Sequence, residues 1–151
     1  MKTIDDVLNK LKQERALMGE PATADDLERC QKAMADNGFA PIPQEYLDFL
    51  TKCNGLEFDG SRYSYGTDKV PSHNSDYALM DIVSANIRFT KNLVDEEDYV
   101  VLGDGECDVL YLYNIKNGRY EVDMYGPIRE FDTYEAMFIN EFSRYFKEDE
   151  K

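Results

Sequence analysis

The only histidine of the chain, His73, sits in a polar stretch with Ser72, Ser75 and Asp76 around it. These are the residue types of a nucleophilic triad, in which a histidine takes the serine proton and a carboxylate orients the ring. That chemistry needs the serine raised on a strained strand-to-helix turn, and no G-x-S-x-G elbow occurs. His73 therefore reads as an exposed loop residue. Three cysteines, Cys30, Cys53 and Cys107, are too widely spaced to form the paired ligands of a zinc site. The carboxylates of Asp104, Glu106 and Asp108 suit a hard cation. They lack the D-x-D-x-D-G register of a calcium loop, and the twelfth position counted from Asp104 is Ile115 where a Glu is required. Gly103-Asp104-Gly105 is not a dinucleotide-binding turn, because position 108 is Asp and acids beside a phosphate repel it. Among 31 acidic residues some pair will fall at the spacing of a glycosidase by chance, so that pattern selects nothing. No catalytic, cofactor-binding or metal-binding residue is assigned.

The residues left over suit contact rather than turnover. Tyr63 and Tyr65 stand beside Glu57 and Asp59, and tyrosine is a favoured interface anchor with an apolar body and a polar tip. Two acidic clusters, residues 95–98 and 104–108, flank a strand about 16 Å long, which sets them at opposite ends of a sheet. The second can group with the Glu57–Asp59 turn if the two turns are neighbours. The expected partner face is thus Glu57, Asp59, Tyr63, Tyr65, Asp104, Glu106 and Asp108.

Overall charge agrees with that choice. The formal charge is −14, and residues 91–110 hold seven acids against a single Lys. Phosphate contacts need clustered Lys and Arg, so direct nucleic-acid binding is disfavoured, and a basic protein partner is favoured. The 151 residues, 42% hydrophobic and 32% charged, suit one globular domain spanning 1–151. No apolar run approaches 18 residues and the N-terminus lacks a signal peptide's apolar stretch, so neither membrane nor secretion is expected. Cysteines on apolar helix faces fit a reduced, cytoplasmic protein.

These residues need a scaffold, and hydrophobic spacing supplies one. Ile4, Val7, Leu8, Leu11 and Met18 predict a helix over 3–18. A capping box at Thr23 and Asp26 opens a second, carrying Leu27, Cys30 and Met34 inward to Asn37-Gly38. Tyr46, Phe49, Leu50 and Cys53 share one face of a third helix, which Asn54-Gly55 ends before a strand over 56–58. Residues 62–65, 99–102, 109–115, 119–124 and 128–131 read as further strands, and 79–90 as a helix between them. Asn117-Gly118 predicts a type I′ hairpin. Asp132 caps a closing helix with an aromatic face of Tyr134, Met137, Phe138, Phe142 and Tyr145, and residues 147–151 form a frayed tail. The fold expected is α+β, an antiparallel or mixed sheet of five or six strands flanked by N-terminal helices and a C-terminal helix.

The series Pro43, Tyr46, Phe49, Leu50, Asn54 and Gly55, P-x-x-Y-x-x-F-L-x-x-x-N-G, resembles the SUKH superfamily of SMI/KNR-type domains. The likeness continues through residues 99–115 and ends on Thr133, Tyr134, Glu135 and Phe138. Many relatives have a Trp soon after the Asn-Gly; this chain has none, and Phe58 takes that place. The resemblance implies a SUKH-like fold and a bacterial immunity protein that binds and occludes a toxin domain, often a basic nuclease. Fungal members imply an alternative, a regulatory scaffold for a signalling partner. A carboxylate-based hydrolase is the third reading, and it requires a deep pocket with two convergent acids.

Overall fold

In a computed structural model, residues 2–71, 79–90, 98–144 and 146 are described. His73, residues 95–97, Tyr145 and the tail 147–151 lie outside them. Among the described residues the order is α1 (Ile4–Gln13), β1 (Leu17–Met18), α2 (Ala24–Asp36), α3 (Gln44–Leu50), β2 (Leu56–Phe58), β3 (Arg62–Ser64), α4 (Ile82–Phe89), β4 (Tyr99–Asp104), β5 (Leu110–Asn114), β6 (Tyr120–Asp123), β7 (Pro127–Phe131) and α5 (Tyr134–Phe142). The seven strands form an antiparallel meander in sequence order. The class is the α+β expected, with more strands than the five or six foreseen.

The additional strand comes from the first helix, which stops at Gln13 instead of reaching Met18. Arg15 takes a left-handed conformation (φ 64°), the Ala16 N–H reaches back to Leu11 O at 3.0 Å and the Arg15 N–H to Lys12 O at 3.1 Å. That is a Schellman ending made with arginine in place of glycine, so no glycine marks it. Leu17 and Met18 are then free to pair with Glu57 and Leu56. The α2 capping box forms as expected, with the Thr23 side chain on Asp26 N and the Asp26 carboxylate on Thr23 N. The closing helix is capped by Thr133, whose hydroxyl accepts from Ala136 N at 3.1 Å, and not by Asp132.

Register divides the sheet into two faces, since successive residues of a strand point opposite ways. Leu56, Ser64, Gly103, Tyr111, Val122 and Arg129 are paired in one row across β2 to β7. This row faces α3 and α5. The Tyr46 and Tyr134 hydroxyls meet at Ser64 Oγ (2.9 and 3.1 Å), and Tyr46 also donates to the carbonyls of Tyr65 and Leu102. Rings of Tyr46, Phe49, Tyr111, Tyr134, Phe138 and Phe142 fill the layer between. Arg129 forks onto Glu141, itself buried in α5 (2.9 and 3.1 Å).

The adjacent row, Glu57, Tyr63, Asp104, Leu110 and Asp123, faces the other way. Part of that side is covered by α4, where Asn86 bonds both the N–H and the carbonyl of Val101 (2.9 and 3.0 Å). The Asn54 amide is buried and pins the next loop through Thr67, giving to its hydroxyl and accepting from its N–H, both at 2.8 Å. The Asn-Gly of the sequence signature therefore joins helix, sheet and loop.

The Asn117-Gly118 turn differs from expectation in type. Asn117 has no positive φ; Gly118 alone is left-handed (φ 71°), and its N–H bonds Asn114 O, four residues back, which makes a wider turn. Positive φ at both central residues occurs instead at Asp59 (55°) and Gly60 (66°), the type I′ pattern, between β2 and β3.

Candidate protein-contact surface

A meander places every second connection at the same end of the sheet. The Tyr63–Asp104 and Leu110–Asp123 pairs fix that end: turns 59–61, 105–109 and 124–126 lie side by side there. Asp59 thus lies at the same end as Glu106 and Asp108, and all three are exposed. Asp98 lies at the opposite end, its carboxylate 2.9 Å from Lys116 Nζ. The separation of the two acidic clusters holds for this described member of the first.

Not every residue of the expected face is available. Glu57 is only 9% exposed, because β1 adds outside β2 and makes it an inner strand. Tyr65 is wholly buried: α4 lays Phe89 against it, rings nearly parallel (11°) at 6.4 Å, and its hydroxyl donates to the Asp104 carboxylate. It is a core residue and not a surface anchor. Tyr63 is half-buried and donates to Gly60 O at 3.0 Å, bracing the β2–β3 turn.

Asp104 is half-buried between these regions. Burial pushes its carboxyl up to about 6, with the Asp108 charge adding to the effect, while the Tyr65 hydroxyl and the Arg88 charge oppose it. Burial also holds the Tyr65 phenol above its ordinary value, so it remains the donor. The flanking glycines serve packing. A Cβ on Gly103 would lie 2.2 Å from Tyr63 O, and one on Gly105 would lie 2.3 Å from Tyr111 Oη. Close approach of strand and ring explains the Gly-Asp-Gly; no phosphate is needed.

Among the described residues no three His, Cys, Asp or Glu gather as metal ligands. Cys30 and Cys53 are buried free thiols, each pushed up to about 12 by burial, and Cys107 is an exposed one. No described helix is long and apolar enough to cross a membrane.

The structure adds a feature that sequence reading passed over. Tyr125 is 98% exposed at the tip of the β6–β7 turn, with Met124 and Ile128 exposed beside it. Its positive φ (58°) is held by Met124 N–H on Gly126 O (2.9 Å) and Gly126 N–H on the Asp123 carboxylate (3.1 Å). The signal was present: an aromatic directly before Gly-Pro belongs to a turn and not to a strand interior, so nothing packs over it.

A sequential seven-stranded meander, helices packed on it and a rim of turns at one end, defines an α+β domain of the SUKH type. Residues 21–148 match the SMI1 / KNR4 family (SUKH-1), and the chain belongs to that family. No curated protein and no solved structure matches it.

Proposed function

We propose that this chain is a non-catalytic protein-binding module, an immunity protein that neutralises a cognate toxin by covering it. One observation carries the reading: three turns converge at one sheet end and present Asp59, Glu106 and Asp108 beside the exposed Tyr125. Carboxylates steer a basic surface into encounter, and a fixed aromatic supplies the desolvated contact that holds it. Family membership and the −14 charge support a basic partner, such as a nuclease domain whose phosphate-binding surface is positive.

The test is co-purification with the protein encoded beside this chain, followed by binding kinetics across ionic strength. Association should slow with salt and in the triple variant Asp59→Lys, Glu106→Lys, Asp108→Lys. Tyr125→Ala should mainly speed dissociation, by the tenfold or more of a hot-spot loss (about 2 kcal/mol), with stability unchanged. Binding to an endogenous signalling protein, and not to the neighbour, would establish the scaffold role. Turnover of a glycoside or ester by the purified chain would overturn both.

A further inference from the structure

A fourth carboxylate belongs to the contact end of the sheet, half-buried where the three on the turns are exposed. Asp104 closes β4 directly before the turn that carries Glu106 and Asp108, and the Gly105 N–H on Val109 O (3.0 Å) folds that turn back beside it. Its cross-strand neighbours are Tyr63 on β3 and Leu110 on β5, and the next strand places Asp123 in the same row. Over the sheet, α4 lays Phe89 on Tyr65, whose hydroxyl donates to Asp104, and Arg88 stands 5.4 Å from the centre of the Phe89 ring. Charges of both signs act on Asp104. Arg88 on α4 favours its anion and Asp108 on the turn disfavours it, while burial keeps the Tyr65 and Tyr111 phenols neutral. Asp123 is held by the Gly126 N–H at 3.1 Å, Tyr63 donates to Gly60 O, and Glu106 lines the groove on the helix-bearing face.

Half-burial outweighs Arg88 and Tyr65, so this carboxyl takes up its proton near pH 6. Resting on the reading of this end as the partner face, we propose that Asp104 couples the hold on a basic partner to pH: a cation seated against Asp108 drives the proton of Asp104 into solvent, and acidification returns it and loosens the hold. Asp59, Glu106 and Asp108 draw the cation in, and Asp104, one step behind them, senses it. A positive charge two strand spacings away, roughly 10 Å, lowers the titration midpoint of a carboxyl by about half a unit to one unit at the dielectric of a protein surface. Binding and proton release are reciprocal. The same factor, about threefold to tenfold, must therefore appear as tighter binding on passing from the protonated to the ionised carboxyl. The sign is fixed: affinity rises with pH through the midpoint and is level above it.

Acetyl-hexaarginine-amide is the probe, because its guanidinium groups stay charged at every pH used. The Asp104 carboxyl carbon is followed by NMR in the intact chain from pH 4 to 8, with and without the peptide at low ionic strength, and affinity is measured by calorimetry at pH 5 and 7.5. The peptide should shift the amides of turns 59–61 and 105–109, lower the Asp104 midpoint by about half a unit or more, and bind about threefold tighter or better at the higher pH. Asp104→Asn should remove most of that gain, which separates it from the titration of His73. A peptide seated on those turns with an unmoved Asp104 midpoint, or an equal gain in the Asn variant, would overturn the coupling and leave the partner face standing. A peptide that shifts no amide there at millimolar concentration would overturn both.

Discussion

Asp104→Asn isolates one carboxyl whose ionisation opposes folding. The folded group titrates at about 6 against an ordinary 3.8, a little over two units. At 1.36 kcal/mol per unit this corresponds to roughly 3 kcal/mol, and partial exposure reduces it to roughly 1–3 kcal/mol. The sign follows from proton binding. In this window the folded state holds the proton more tightly than the unfolded chain, so stability falls as pH rises from about 4 to about 6 and the whole penalty is present above that. Asn cannot ionise, and its carbonyl still accepts from Tyr65. Urea midpoints of both proteins at pH 4 to 8 and fixed ionic strength should therefore diverge. The gain of the variant over the parent should grow by about 1–3 kcal/mol between pH 4 and 7.5, while any cost of the altered hydrogen bond appears as a constant offset. A difference independent of pH, or one growing in the parent's favour, would refute the burial argument.

Removal of the Tyr46 hydroxyl in Tyr46→Phe deprives the Tyr65 and Leu102 carbonyls of a buried donor and Ser64 of a hydrogen-bond partner. A loss of about 2 kcal/mol and a fall in Tm of about 4–8 °C are expected by calorimetry. Tyr134→Phe, which gives up a single bond to Ser64, should cost less. Arg129→Ala strands the buried Glu141 carboxylate and should cost about 3–5 kcal/mol in urea unfolding; Arg129→Ala combined with Glu141→Leu should recover most of it.

The elements that sequence alone revealed are those in which local chemistry and burial agree. Thr23 and Asp26 cap α2 whatever packs on it, and Tyr46, Phe49 and Leu50 face inward at helical spacing because α5 and the sheet lie there. Elements set by long-range pairing were hidden. Arg15 in a left-handed turn frees a two-residue strand, and that strand buries Glu57 from the far side of the chain. Tyr65 and Tyr63 look alike in sequence, yet α4, distant along the chain, buries one of them. Of the expected contact residues, Asp59, Glu106 and Asp108 emerge together because strand parity alone fixes which turns share an end. Tyr125 was legible through its Gly-Pro neighbours, which place it in a turn with nothing packed over it.

The closing helix has a consequence for synthesis. Every strand finds its partner next to it in sequence, so the meander can zip up as the nascent chain leaves the ribosome. Phe138 and Phe142, which cover Phe49 and Tyr111, are translated after all seven described strands. Until they emerge the aromatic face of an otherwise assembled sheet stands bare, and a prematurely terminated product is a substrate for chaperones and for aggregation.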